Sequence, residues 1–401
     1  MSPGDVAHQA HAQRQIHQAL SGGRMPHAYL FSGPDGVGKE KLALGLAEVL
    51  LCPQPGDVSL DAATAKAVGL NVVRSGCGRC EDCRSVAAMS HPDLHLVYRQ
   101  LSREHPDLEV RKRKALDIGV EVARHFLIEC VGRTPVRGLA KLFIVREADR
   151  ITAQAQNALL KTLEEPPGET VVILLTSSVD RLLPTTLSRC QLVRFDALPA
   201  DFIHDKLKAL LPDHPPVEVQ WCARCAEGSL GRAVQIARDG LYNLNQRLYE
   251  TFSSLCQAVS RRRSATSSGS AMRNDHIAKA WTEAAKGLAG RYRKDDPDMT
   301  DTEASRRGLK AIFQLTALWY ADLLRSISGP SSTLVNHAFA ADIERLSRVI
   351  SPRRAVRAVN RLAQAEHHLD LNVNAQLCVE TLVNDLARIN QGREKGWKVE
   401  S

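Results

Sequence analysis

The segment "AYLFSGPDGVGKE", residues 28–40, constrains the fold of this 401-residue chain more than any other. A short apolar run ends in G-x-x-x-x-G-K and passes directly into the helical pattern "EKLALGLAEVLL". In such a loop the glycines let backbone N–H groups curl around phosphates, and the lysine offsets their charge. Gly33, Gly36, Gly38 and Lys39 meet these two requirements. The motif predicts a phosphate-binding loop between a strand and a helix of a parallel α/β sheet. The next residue is ordinarily Ser or Thr, whose hydroxyl holds Mg²⁺. Here it is Glu40.

Apolar runs alternate with helical patterns from Ala28 to about Leu198, as expected for strand-helix units around a parallel sheet. "KLFIVRE" (141–147) and "TVVILLTS" (170–177) are continuous apolar runs, the pattern of strands covered on both faces. The spacing predicts a helix over "TAQAQNALLKTLEE", with Thr152 as N-cap and Pro166-Pro167 as its stop. Ala155, Ala158, Leu159 and Leu163 share one face of that helix. Residues 199–240 read as short helices broken at "LPDHPP" and "EGSLG". From 241 onward helical periodicity dominates, as in "LKAIFQLTALWYADLLRSI" and "LCVETLVNDLARI". "SRRRSATSSGSAMRND" and "RYRKDDPDMTDTE" are expected to be exposed loops, because their Ser, Gly and charge content buries little surface.

A magnesium-dependent phosphate site also needs a later strand ending in Asp-Glu, the Asp orienting the metal and the Glu polarising the attacking water. "LFIVREAD" is the candidate; Glu147 is present, but Arg146 stands in the Asp position. A cation cannot ligate a cation. The hydroxyl is therefore lost at one magnesium-binding position and the carboxylate at the other. An ion pair between Glu40 and Arg146, with N···O within about 4 Å, would fill the vacancy; the alternative is two separately solvated surface residues. Nucleotide can still be held by the backbone cradle and Lys39, whereas Mg²⁺ binding and hydrolysis at this site are not expected.

The chain has ten cysteines. Cys77, Cys80 and Cys83 form C-x-x-C-x-x-C, with Cys52 upstream, a set suited to a closed tetrahedral Zn²⁺ site of structural type. An iron–sulfur cluster is the competing metal reading. Cys222 and Cys225 in "WCARC" lie inside a helical pattern and read as core packing, and Cys130, Cys190, Cys256 and Cys378 as isolated buried thiols. His8, His11 and His17 are helix-spaced without a further ligand and receive no metal. The formal net charge of +8 is dispersed except at Arg261 to Arg263, and no apolar run approaches the roughly 18 residues of a membrane span. The polar N-terminus shows no signal-peptide pattern, so a cytoplasmic protein is expected.

Four stretches together, "MPHAYLFSGPDGVGKEKLALGLAEVLLC", "CGRCEDCRSVAAMSHPDLHLV", "ADRITAQAQNALLKTLEEPP" and "LLPTTLSRC", resemble the delta-prime family of bacterial DNA polymerase III clamp-loader subunits, which are AAA+ proteins. The resemblance covers about Met25 to Pro199, weakens through the next forty residues and is architectural beyond Gly240. It implies an AAA+ P-loop core with an inserted zinc module (1–198, the module at about 52–83), a small helical lid (199–240) and an all-α collar (241–401). It also implies a hetero-pentamer with gamma/tau and delta subunits that places a sliding clamp on primer–template DNA. Delta-prime subunits are described as a stator that does not hydrolyse ATP, in keeping with Glu40 and Arg146.

By the same resemblance Arg189 in "LSRC" reaches the nucleotide of a neighbouring subunit, a task suited to a planar guanidinium that is always charged. Thr176 falls at the position where a polar side chain monitors the γ-phosphate, and Cys52, Cys77, Cys80 and Cys83 match the zinc ligands. Two features depart from the family pattern. The spacer "PQPGDVSLDAATAKAVGLNVVRSG" is longer than the commoner one, and "GSLGR" has Gly231 where motor subunits place an Arg, with Arg232 one position later. The competing functions are an active gamma/tau-like motor and a zinc-dependent DNA-binding protein. No triad of metal-binding carboxylates suggests that this chain polymerises DNA itself.

Overall fold

The computed structural model describes all residues except 1–3, 5, 24, 114, 138–139, 258–266, 297–298, 329–333, 372 and 393–401. The chain forms two compact units, one of residues 1–211 and 226–233, the other of 212–225 and 234–401. Among the described residues no helix is long and apolar enough to cross a membrane.

The first unit is built on the expected parallel sheet with flanking helices. Its strands are β1 (Ala28–Ser32), β4 (Leu94–Val97), β5 (Lys141–Val145), β6 (Thr170–Thr176) and β7 (Gln191–Arg194), in the order β4-β5-β6-β1-β7. Every pairing is parallel, with Leu30 opposite Leu174 and Ile144 opposite Ile173. β5 and β6 are buried along their whole length, which is why their sequences are unbroken apolar runs. On one face Phe143, Val145, Val172 and Leu174 share a core with Leu159 and Leu163 of the helix Ala153–Glu164. Thr152 caps that helix, its hydroxyl accepting from the Ala155 N–H at 3.3 Å. The helix Lys39–Leu51 follows the phosphate loop and is buried over most of its surface.

Two short strands, β4 and β7, complete the sheet beyond the three that the apolar runs single out. The long spacer after Cys52 is itself structured. Within it β2 (Gly56–Ser59) and β3 (Val72–Ser75) pair antiparallel around the helix Ala62–Val68.

Residues 199–240 form the helices Ala200–Leu210, Pro216–Cys225 and Leu230–Arg238, broken where "LPDHPP" and "EGSLG" predict. The second unit is otherwise the helices Leu241–Gln257, Ser267–Asp295, Asp301–Ser328, Ala340–Ser347, Pro352–Asp370 and Ala375–Gln391. Its core holds Phe252, Trp281, Phe313, Trp319 and Tyr320, all nearly sealed from solvent. A buried carboxylate, Asp322 of the helix Asp301–Ser328, accepts from the Val335 and Asn336 N–H groups at 3.0 and 2.8 Å and from Arg325 at 2.8 Å.

Both expected loops are corrected in part. Residues 267–275 of the first are helical, and 258–266, including Arg261 to Arg263, lie outside the described residues. In the second, helix runs to Asp295 and resumes at Asp301, and 297–298 lie outside the described residues. Ile277, Trp281, Ala285, Leu288 and Tyr292 recur at helical spacing and are buried, so one apolar stripe carries the helix through the charged residues on its other face. Arg293 and Lys294 then sit in the last turn, where a cation suits the helix dipole.

Candidate functional site

The phosphate loop leaves β1 at Ser32 and enters the helix at Lys39. Gly36 has φ +71°, and a Cβ there would lie 2.2 Å from the Gly231 nitrogen, so this position admits no side chain. The Ser229 hydroxyl donates to the Asp35 carbonyl, and the Gln9 amide donates to Val37 and Asp196 carbonyls at 3.4 and 2.9 Å. The loop backbone is thus held by its own unit. Lys39 is buried; its ammonium donates to the Gly33 and Pro34 carbonyls and lies 3.4 Å from an Asp35 carboxylate oxygen. Burial holds its pKa below the usual lysine range, with Asp35 opposing the shift.

Beside the loop lies a cleft of ≈ 540 Å³. Glu40 and Arg146 meet in it: a guanidinium N–H of Arg146 donates to a Glu40 carboxylate oxygen. Arg146 also lies over the Tyr98 ring, 5.8 Å from its centroid, and 3.6 Å from the Met89 sulfur. The cleft is lined by four cations (Lys39, Lys41, Arg146, Arg150) and four carboxylates (Asp35, Glu40, Glu147, Asp149), a balanced set with no cationic excess for a triphosphate. Glu147, in a left-handed conformation at φ +51°, pairs with Arg99 at 3.3 Å. The buried Thr176 hydroxyl at the end of β6 donates to Asp149 at 3.3 Å and to the Ser178 carbonyl at 3.0 Å.

Arg189 lies elsewhere on the sheet. It precedes β7, whose Gln191 pairs with Tyr29 near the start of β1, whereas the phosphate loop follows the end of β1. A five-residue strand spans roughly 16 Å, which separates Arg189 from the unit's own cradle. Its Nε donates to Glu164 at 3.2 Å and its Nη1 to the Thr185 carbonyl at 3.0 Å. Cys190, next in the chain, packs against the sheet core, and burial pushes its thiol up to about 12. In "SRC" the cysteine therefore anchors the turn and the arginine faces outward. Arg232 pairs with Glu227 at 2.6 Å.

The four cysteines converge. All four sulfurs lie within 4.8 Å of one another, with Cys52–Cys80 and Cys77–Cys83 both at 3.9 Å. Four sulfurs at about 2.3 Å around one ion are spaced roughly 3.8 Å apart, so the donor set fits a tetrahedral metal site; a disulfide would need about 2.05 Å. Successive N–H···S contacts, Cys80 to Cys77 at 3.4 Å and Cys83 to Cys80 at 3.3 Å, wrap the chain around the centre. Backbone N–H groups of Arg79 and Cys80 pull the Cys77 thiol down to about 6. Burial pushes Cys83 up, a penalty that a bound dication reverses. Gly76 is required here, since a Cβ would lie 2.9 Å from the Cys83 sulfur. Cys222 and Cys225 are buried in their helix, as are Cys256 and Cys378, whereas Cys130 and Cys190 are half-buried rather than fully so.

Residues 8–199 match the family profile described as "DNA polymerase III, delta subunit". Over this segment the chain is similar to members of that family. It is 32% identical over 200 residues to the delta-prime subunit of Bacillus subtilis, covering 50% of this chain and 51% of that one. It is 33% identical over 210 residues to the delta-prime subunit of Pseudomonas aeruginosa (52% and 55%). The tau subunit of Escherichia coli is 33% identical over 236 residues (58% and 32%). The chain thus spans about half the length of the delta-prime relatives and a third of the tau relative. Among solved structures, a gamma subunit-related protein of Thermotoga maritima aligns over 95% of this chain and 99% of that one, at 15% identity and a TM-score of 0.36.

Four participants escaped the motif reading. Asp149 is two residues past Glu147 in "READR", but nothing in that spacing distinguishes it from a surface carboxylate until the Thr176 hydroxyl meets it. Arg99 and Glu164 are likewise ordinary in sequence and gain partners through the fold. Ser229 is inside the quoted "GSLGR", yet its bond to Asp35 spans 194 positions.

Proposed function

We propose that this chain is a clamp-loader subunit of DNA polymerase III that does not hydrolyse ATP and lends Arg189 to the ATP site of a neighbour. The observation that carries this is the Glu40–Arg146 contact. It joins the two positions from which a working site of this class would hold Mg²⁺, and it leaves an ammonium, an ion pair and balanced charge where a triphosphate and its metal would need net positive charge. In support, Arg189 sits at the other end of the sheet from this cradle with part of its guanidinium still open to a partner.

On this reading the partners are gamma/tau and delta subunits in a hetero-pentamer acting on a sliding clamp and primer–template DNA in the cytoplasm. Residues 199–240 serve as the lid and 241–401 as the collar. Cys52, Cys77, Cys80 and Cys83 hold a structural Zn²⁺; with four thiolates the ion has no open position and supplies stability rather than chemistry. ADP or ATP at Gly33, Gly36, Gly38 and Lys39 is not turned over.

The test is reconstitution with gamma/tau and delta subunits, comparing wild type, Arg189→Ala and Lys39→Ala for ATP hydrolysis and clamp loading. A loss with Arg189→Ala alone supports the stator. An equal loss with Lys39→Ala, or Mg²⁺-dependent hydrolysis by the isolated chain, overturns it in favour of a motor.

A further inference from the structure

Glu164 occupies a position that a carboxylate does not favour. It is the last residue of the helix Ala153–Glu164, which the Pro166-Pro167 pair stops, and the exposed carbonyls there carry the negative end of the helix dipole. The Arg189 guanidinium offsets the first of these, the Glu164 charge. Its Nε donates to Glu164 at 3.2 Å, while Nη1 donates to the Thr185 carbonyl at 3.0 Å, the last turn of the short helix Pro184–Leu187. These two bonds approach the guanidinium from different helices. They fix its plane, and among the described residues Nη2 has no hydrogen-bond partner. The Arg189 side chain is 30% exposed and Glu164 57%, so the pair lies at the surface.

We infer that Glu164 is a positioning residue: it holds the Arg189 guanidinium in the orientation in which Nη2 and the second Nη1 proton meet phosphate oxygens of a neighbour's nucleotide. This rests on the proposed trans role of Arg189. Glu164 touches no nucleotide itself; it acts by removing the rotamer freedom of a long side chain before the neighbour arrives. The carboxylate stays on Nε when phosphate binds, so the two anions take opposite sides of one cation.

The experiment uses the reconstituted complex at saturating subunit concentration, with Glu164→Ala, Glu164→Gln, Arg189→Ala and the double variant. The readout is steady-state ATP hydrolysis, resolved into kcat and KM. Glu164→Ala is expected to lower kcat about fivefold with KM for ATP nearly unchanged, the size that one partly exposed pair supports. Glu164→Gln, which keeps an acceptor without the charge, should restore part of the rate. In the Arg189→Ala background Glu164→Ala should have no further effect. The inference is overturned if Glu164→Ala matches wild type, or if it lowers the rate by the same factor with and without Arg189. If Arg189→Ala itself leaves hydrolysis intact, the trans reading fails and this inference with it. A full loss in Arg189→Ala beside an unaffected Glu164→Ala removes this inference alone.

Discussion

If the Glu40–Arg146 contact replaces a metal, breaking it should have a measurable and salt-sensitive cost. Two unit charges about 4 Å apart attract by ~1 kcal/mol in water and ~4 kcal/mol at the effective dielectric near a protein surface. Solvent screens this pair, since the Arg146 side chain is 32% exposed and that of Glu40 37%, and ordering two long side chains opposes the gain. A coupling energy of about 1 kcal/mol is what remains. It should appear in a double-mutant cycle of Glu40→Gln and Arg146→Gln, followed by urea denaturation. At about 1 M salt the screening length falls to ~3 Å, and the coupling should drop below half. The reasoning fails if the coupling at low salt lies within about 0.3 kcal/mol of zero, the usual scatter of additivity, or does not change with salt. The complementary variant, Glu40→Thr with Arg146→Asp, returns a hydroxyl and a carboxylate to the two positions. Fluorescent nucleotide titration should then become Mg²⁺-dependent, whereas in wild type Mg²⁺ should make no difference.

Elemental analysis should find one Zn²⁺ per chain, lost in Cys80→Ser, and a chelator should lower the melting temperature of wild type but not of that variant. Differential alkylation at pH 8 should leave Cys190 and Cys222 unmodified in the folded protein, since burial pushes both thiols up to about 12 and keeps them protonated; the four clustered cysteines should become reactive on metal removal. In the helical unit Trp319→Ala should cost about 3–5 kcal/mol of stability by denaturant titration, because the ring is fully buried against Phe252, Tyr249 and Phe339.

The sheet was legible where burial on both faces forces continuous apolar runs, as in β5 and β6. It was less so at β4 and β7, where four residues are too few to show a pattern and pairing with a neighbouring strand decides the structure. The charged end of the helix Ser267–Asp295 misread as a loop for a related reason: composition outweighed a buried stripe of five residues at helical spacing. At the site, the cysteine cluster and the Glu40–Arg146 contact followed from the chemistry that each residue type can or cannot perform. Asp149, Arg99, Ser229 and Glu164 did not, because their roles depend on which distant residue the fold delivers to them. Spacing encodes local geometry well and long-range partners poorly.

Gly36 would be required even if no phosphate ever entered the cleft, since any Cβ there collides with the backbone of Gly231. Gly33 is under the same pressure, a Cβ lying 2.4 Å from the Phe195 carbonyl oxygen. Ser229 bonds to Asp35, and Gln9 to Val37 and Asp196, so the loop is a packing joint between Gln9, the residues just after β7 and the 226–233 segment. The glycine-and-lysine signature therefore reports two separable properties. Gly33 and Gly36 are demanded by close backbone approach within the unit. Hydrolysis depends on the hydroxyl and the carboxylate that the signature alone does not guarantee, and in this chain those are the positions occupied by Glu40 and Arg146.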